Sequence, residues 1–135
     1  MKTFATGRLF LIAAVLIFGS GALLGGAAAA HHSFTAEFDR EQPITLNGIV
    51  YKVDWTNPHV WFYINVFDED TGEVESWGVE LAAPAVLQGR GWGPDSLTVG
   101  EEVTVDGWKS RNGLPRINSR QVVQASTGRR PGESP

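Results

Sequence analysis

The stretch His59–Phe67, which reads His-Val-Trp-Phe-Tyr-Ile-Asn-Val-Phe, decides the fold of this chain. Every second position is apolar and aliphatic or aromatic, namely Val60, Phe62, Ile64 and Val66. The positions between them hold His59, Trp61, Tyr63 and Asn65. Successive side chains of a strand point to opposite faces. The period of two therefore predicts a β-strand with the first set in a core and the second set facing outward.

A partner strand follows directly along the chain. Asp70-Thr71-Gly72 supplies a turn, and Val74–Leu81 completes a predicted hairpin. One face of this second strand is apolar and consists of Trp77, Val79 and Leu81. The other face carries Ser76, Gly78 and Glu80.

The remaining elements extend this hairpin in both directions. Ile44–Trp55 is a predicted strand whose interior Gly48 indicates a bulge or a sharp bend. Ala82–Gln88 is a predicted helix of one or two turns, and Glu101–Lys109 and Arg116–Gln124 form a last hairpin around Asn112-Gly113. Three strands, a helix and two strands predict an all-β, five-stranded Greek-key barrel of the OB type. A small β-sandwich is the alternative.

The ends of the chain differ from this domain. Residues 1–30 have the parts of a cleavable signal peptide: the positive Lys2 and Arg8, an apolar stretch Leu9–Leu24, and small residues up to Ala30. An uncleaved anchor is the alternative, since Leu9–Ala30 nearly reaches the roughly 20 residues that span a bilayer. We expect cleavage after Ala30, a periplasmic or secreted protein, and no membrane attachment afterwards. Residues 31–43 are predicted to be an irregular arm, 44–125 the barrel and 126–135 a disordered tail.

The composition of the mature chain narrows the classes of function. Without Lys2 and Arg8 it has 9 basic and 15 acidic residues, a net charge of −6. This charge argues against nucleic acid as a partner, because such a surface lacks a positive footprint. The absence of cysteine excludes disulfides, thiolate metal sites and cysteine nucleophiles.

The three histidines are His31, His32 and His59. Cleavage after Ala30 gives His31 a free α-amino group beside its imidazole, and the two nitrogens can chelate one metal ion. A second imidazole, from His59 or His32, completes a nitrogen-rich site of the kind that suits Cu(II). We therefore expect a binding protein that holds copper or another divalent metal. The alternative is that His31 and His32 are solvated and that His59 bonds a backbone carbonyl.

A second candidate site is the outward face of strands two and three, where barrels of this type commonly hold ligands. Trp61 and Tyr63, with Asn65 and the preceding Asn57, are the candidate ligand-binding residues for an exported protein, a saccharide or an apolar ligand. The alternative is that Phe34 and Phe38 of the arm cover these rings. Arg111 and Arg116, which flank the last hairpin, are read as surface charges or as contacts to an anionic partner.

Motifs for catalysis are missing from the sequence. It has no nucleophile motif, no glycine-rich phosphate loop and no paired carboxylates in a defined frame. The acidic turn Asp68-Glu69-Asp70 with Glu73 lacks the spacing of a calcium loop and is read as solvated. We expect no catalytic residues, and a copper redox enzyme is the remaining enzymatic alternative.

Several short motifs resemble those of a family of small exported bacterial proteins classified as a domain of unknown function. They are His31-His32-Ser33-Phe34, Glu37-Phe38-Asp39-Arg40, Trp55-Thr56-Asn57-Pro58-His59, Arg90-Gly91-Trp92 and Asp95-Ser96-Leu97. The resemblance extends from about His31 to Val123. It implies export and a barrel fold, and it implies no activity.

Overall fold

The computed structural model describes residues 34–131, in which residues 34–37 are helical and five strands and a short helix then follow one another. They are β1 (Phe38–Asp54), β2 (Trp61–Phe67), β3 (Val74–Glu80), α1 (Pro84–Gln88), β4 (Glu102–Ser110) and β5 (Arg116–Gln124). The predicted signal peptide, His31 and His32 lie outside the described residues. No helix within residues 34–131 is long and apolar enough to cross a membrane.

The strands close into a barrel in the order β1-β2-β3-β5-β4, with β4 pairing back onto β1. Four of the five ladders are antiparallel. The exception is the short parallel ladder between β3 and β5, which joins Gly78–Glu80 to Arg116–Asn118. This ring confirms the five-stranded Greek-key barrel, and closure leaves no open outer strand of the kind a sandwich would have.

The core of the barrel is filled by the alternating residues of β2 and β3, as their period predicts. Val60, Phe62 and Ile64 are almost fully buried, and so are Trp77 and Val79 on the facing strand. Burying each such side chain contributes about 1.5–3 kcal/mol. The alternation therefore fixes which face of the hairpin lies inside, since a slip of one residue would expose the whole set.

Two β-bulges each leave one side chain out of the ladder. In β1, Val50 pairs with Ile64 and Lys52 pairs with Tyr63, so Tyr51 is the extra residue. In β5, Ser119 and Gln121 pair with the adjacent residues Gly107 and Asp106 of β4, so Arg120 is the extra residue. Bulges of this kind re-aim a side chain at the rim of a barrel.

Glycines allow the strands to approach closely at two points. A methyl group at Gly48 would lie 2.8 Å from the carbonyl oxygen of Asn65. One at Gly107 would lie 2.2 Å from the carbonyl oxygen of Asn118, beside the β5 bulge. The close approach at Gly48 is the physical reason for a glycine in the interior of β1, and the register shift itself comes later, at Tyr51.

The structure differs from the sequence prediction at both ends of the barrel. β1 begins at Phe38 rather than at Ile44, and its ladder with β4 shifts register between Phe38 and Pro43, where residues 39–42 lie opposite Lys109. After β5 the chain turns back, and the backbone N–H of Gln124 donates to the carbonyl of Arg129 at 2.8 Å. The described part of the predicted tail, residues 126–131, therefore folds against the end of β5.

Candidate functional site

A buried carboxylate holds the imidazole of His59. Nδ1 of His59 is hydrogen-bonded to Oε1 of Glu80, and Oε2 of Glu80 accepts a hydrogen bond from Nδ2 of Asn118 at 3.1 Å. Glu80 is only 7% exposed, whereas the His59 side chain is 44% exposed. An ionised carboxylate only accepts hydrogen bonds, so Nδ1 is the donor in this contact and Nε2 is the ring nitrogen left for another partner.

Burying the carboxylate of Glu80 costs free energy, so a contribution to stability does not by itself explain this residue. A carboxylate removed from water must be paired and hydrogen-bonded to persist. Buried ion pairs are often no better for stability than apolar residues of similar volume. A glutamate at this position is therefore better explained by what it does to His59, because a carboxylate bonded to one ring nitrogen fixes the orientation of the imidazole and the tautomer it adopts.

The hairpin register brings His59 and Glu80 together. β2 and β3 pair Trp61 with Glu80, and the pairing continues beyond β2, where Val60 accepts a backbone hydrogen bond from Leu81 and donates one to Ala82. His59 and Glu80 thus lie diagonally across two neighbouring strands on the outer face. Sequence reasoning missed Glu80, which it assigned to the outward face. The signal that could have found it is the length of the Asp68–Glu73 turn, which sets the register.

The predicted metal ligands are only partly placed by the structure. His59 lies at the start of β2 with Nε2 directed away from its carboxylate partner, while His31 and His32 lie outside the described residues. Residues 34–131 contain no group of three or more histidine and acidic side chains arranged to hold a metal ion. The barrel itself thus contributes one imidazole nitrogen and not a complete ligand set. The alternative that His59 bonds a backbone carbonyl is not what the structure shows, since its partner is a carboxylate.

The outer face of β2 and β3 carries an open groove of about 330 Å³. Trp61 and Tyr63 line it, and Gly78 forms its floor between the two rings. A methyl group at Gly78 would lie 3.5 Å from Trp61 and 3.6 Å from Tyr63, so the absent side chain leaves a slot there. The bulge residue Tyr51 adds a third ring, 6.0 Å from Tyr63 between centroids.

Positive side chains border this groove. The guanidinium of Arg116 lies 5.9 Å from the Trp61 ring, and Nζ of Lys52 lies 5.0 Å from the Tyr63 ring. Lys52 is also paired with Asp54 at 2.6 Å, which offsets its charge. Arg116 forms no ion pair within residues 34–131. Such stacked cations hold the rings in place and give the groove a positive side.

The other predicted ligand-binding residues have simpler surroundings. Asn65 accepts a hydrogen bond from Oγ of Ser76 at 2.8 Å, which ties the two strands together beside the groove. Asn57 is exposed in the loop between β1 and β2 and precedes a cis peptide bond to Pro58. Phe38 of the arm is buried beside β4, where it pairs with Ser110.

Arg111 has a structural role. Its Nε donates to the carbonyls of Thr35 and Phe38 at 2.9 and 3.0 Å, and Nη2 is paired with Asp39 at 3.2 Å. These contacts fasten the start of β1 to the last hairpin. The guanidinium of Arg111 is therefore bonded to other residues of this chain. Arg116, the other arginine that flanks the last hairpin, borders the aromatic groove.

The acidic turn is organised by its own backbone. Asp68 accepts hydrogen bonds from the backbone N–H groups of Thr71 and Asp70, at 3.0 and 2.9 Å, and these bonds hold the pKa of Asp68 below its ordinary value of 3.8. The carboxylate of Asp68 therefore stabilises this turn.

The topology and the site together define a class: a small closed β-barrel that presents one carboxylate-held imidazole and an aromatic groove on its outer surface. The chain belongs to DUF6152, a family of unknown function, whose profile matches residues 21–117. This match confirms the resemblance to an uncharacterised family that the sequence motifs indicated. No curated protein compared with the chain matches it.

Proposed function

We propose that the protein is an exported metal-binding protein in which Nε2 of His59 is a ligand to a divalent ion, with Cu(II) as the best match. The observation that carries this proposal is the hydrogen bond between the buried Glu80 and Nδ1 of His59. A metal-ligating histidine almost always donates its other ring N–H to a carboxylate, a backbone carbonyl or water, and Glu80 is a partner of this kind. Asn118 supports it from the other carboxylate oxygen.

The donor set of the chain fits a nitrogen-rich site. Thiolates are absent because there is no cysteine, so a soft sulfur site is excluded. Imidazole nitrogens suit Cu(II), Ni(II) and Zn(II), and a tetragonal nitrogen set favours Cu(II). The further ligands expected from the sequence are His31, with its α-amino group after cleavage, and His32.

The experiment is a Cu(II) titration of the protein purified from the periplasm, followed by calorimetry and by electron paramagnetic resonance. His59→Ala should weaken binding and remove one nitrogen from the copper spectrum. Glu80→Gln keeps the ligand and removes only the carboxylate, and loss of such a partner costs about 10- to 100-fold in affinity. Glu102→Gln is the matched control, because Glu102 is exposed on β4 and the carboxylate bonded to His59 is that of Glu80.

The start of the chain is tested separately. The intact mass of the same preparation should begin at His31, and a variant with one extra residue before His31 should lose tight copper binding. If His59→Ala binds Cu(II) as the wild-type protein does, the proposed role of His59 is wrong. If Glu80→Gln behaves like Glu102→Gln, the carboxylate does not serve the metal.

A second candidate function is supported by the slot above Gly78. Its two flanking rings, Trp61 and Tyr63, offer aromatic surface on which the C–H face of a sugar ring can pack, and the bulge residue Tyr51 lines the same groove. Cellohexaose, a neutral oligosaccharide, is a suitable probe. Binding should change the tryptophan fluorescence, and Trp61→Ala should abolish the change. Phe67→Ala, which removes an exposed ring outside the groove, should not.

A further inference from the structure

A third concave site lies between α1 and β5, away from the aromatic groove. It is a cavity of about 310 Å³ whose walls include three arginines, Arg90, Arg120 and Arg130. No acidic side chain lines it among the described residues. This concentration of positive charge is unexpected in a chain with more acidic than basic residues.

A bulge or a turn of the backbone places each arginine at the cavity. Arg120 is the extra residue of the β5 bulge, which turns its side chain out of the ladder. Arg90 follows α1, where Gly91 adopts a positive φ of 83° and the N–H of Trp92 donates to the carbonyl of Leu87 at 3.0 Å. This helix-ending turn brings Arg90 and Trp92 to the same cavity.

Arg130 comes from the turn that follows β5. The N–H of Gly128, whose φ is +65°, donates to the carbonyl of Gln124 at 2.8 Å, and the N–H of Gln124 donates to the carbonyl of Arg129. The chain is thereby folded back, so that Arg130 lines the cavity. The β5 bulge and these two turns thus bring three arginines to one cavity.

The charges of Arg90 and Arg120 are not balanced within the described residues, where neither forms an ion pair. Asp106, which lines a neighbouring groove with Arg120, instead accepts a hydrogen bond from Thr45 at 2.6 Å. Like charges gathered in one cavity repel one another, and an anion bound between them removes that repulsion. Guanidinium groups are well matched to phosphate and carboxylate oxygens.

The rest of the wall is polar at Ser119 and Gln121 and otherwise apolar. Leu81 and Leu87 are buried beneath the cavity, and Trp92 is partly buried beside them. A fully hydrated inorganic ion would gain nothing from this surface, whereas a ligand with an apolar body would bury it. We infer that this cavity binds an organic oxyanion, a phosphate or carboxylate attached to an aromatic or aliphatic body, with the anion held by Arg90, Arg120 and Arg130.

The test is calorimetric titration of the purified protein with phenyl phosphate. Phenol and inorganic phosphate serve as the two halves of the ligand, and each should bind more weakly than phenyl phosphate. Hydrogen bonds to charged groups are worth enough that Arg90→Gln or Arg120→Gln should weaken binding about tenfold or more. Raising the NaCl concentration from 50 to 500 mM should also weaken binding, because salt screens the arginines.

Arg116→Gln is the matched control. It makes the same change of charge, but Arg116 lies over Trp61 in the other groove. Circular dichroism and thermal unfolding show whether each variant is folded. If Arg120→Gln and Arg90→Gln bind phenyl phosphate as Arg116→Gln does, the inference is wrong. It is equally wrong if inorganic phosphate binds as tightly as phenyl phosphate, since the apolar wall would then play no part.

Discussion

Gly107 is the position where a single methyl group should do most harm to the barrel. It lies on β4 opposite the bulge of β5, and an alanine Cβ there would be 2.2 Å from the carbonyl oxygen of Asn118 and 2.8 Å from Cγ1 of Ile117. Contacts of this kind shorter than 3.0 Å are essentially never seen, so β5 would have to move by at least 0.8 Å. The atom in the way belongs to the backbone, so a change of side-chain rotamer cannot relieve the clash.

The cost follows from two opposing effects. Overpacking costs about 1–3 kcal/mol, and the upper end applies where a backbone must shift. Alanine recovers about 0.4–1 kcal/mol by restricting the unfolded chain. Gly107→Ala should therefore lower the free energy of unfolding by about 2 kcal/mol. For a domain of this size that is a fall in Tm of about 8–16 °C.

The assay is thermal and urea unfolding of Gly107→Ala beside Gly93→Ala. Gly93 has no atom within 4 Å of the position its Cβ would occupy, so the same substitution there should leave stability unchanged or slightly raised. A Gly107→Ala protein as stable as Gly93→Ala would refute the reasoning, because it would show that a methyl group fits between Gly107 and the backbone of Asn118.

Three further outcomes are expected. The folded-state pKa of Asp68 is below the unfolded value of 3.8, so its contribution to stability is present above pH 3.8 and disappears as the pH falls through the lowered folded pKa. The stabilities of wild type and Asp68→Asn, measured by unfolding at a series of pH values, should therefore differ at neutral pH and converge in acid. Arg111→Gln should free the start of β1 from the last hairpin, so limited proteolysis should cut near Phe38 sooner than in Arg129→Gln, and equal cutting would deny Arg111 that role. Ile64→Ala should destabilise the barrel by about 2–5 kcal/mol in urea unfolding, because Ile64 is fully buried; a loss below 1 kcal/mol would mean that the core collapses around it.

The fold was accessible from the sequence because its strongest signals are local. The alternation of β2 and the Asp70-Thr71-Gly72 turn specify one hairpin, and β5 has the bounds that its pattern predicts. The start of β1 was missed because Pro43 and the polar residues before it look like a loop. They join the sheet only through β4, which is distant in sequence.

The candidate site was less accessible because it depends on register and on bulges. His59 was recognised by its chemistry, but its carboxylate partner Glu80 looked like one more outward polar residue. The roles of Tyr51 and Arg120 follow from a ladder shifted by one residue. A bulge leaves no mark in the pattern of a single strand, since it is defined by the partner strand. The types of residue in the sequence could therefore indicate candidate ligands, but the pairing of the strands was needed to show which side chains lie in contact.

The parallel ladder between β3 and β5 gives the barrel a kinetic weak point. It has three residue pairs, fewer than any other ladder, and it joins residues 38 positions apart. Closing a loop of that length costs entropy that three pairs offset poorly, so this seam should form late in folding and open early in native fluctuations. Glu80 and Asn118 are paired with each other across it. Each opening therefore separates Asn118 from the carboxylate that holds His59, and a ligand bound at His59 should slow hydrogen exchange along this ladder.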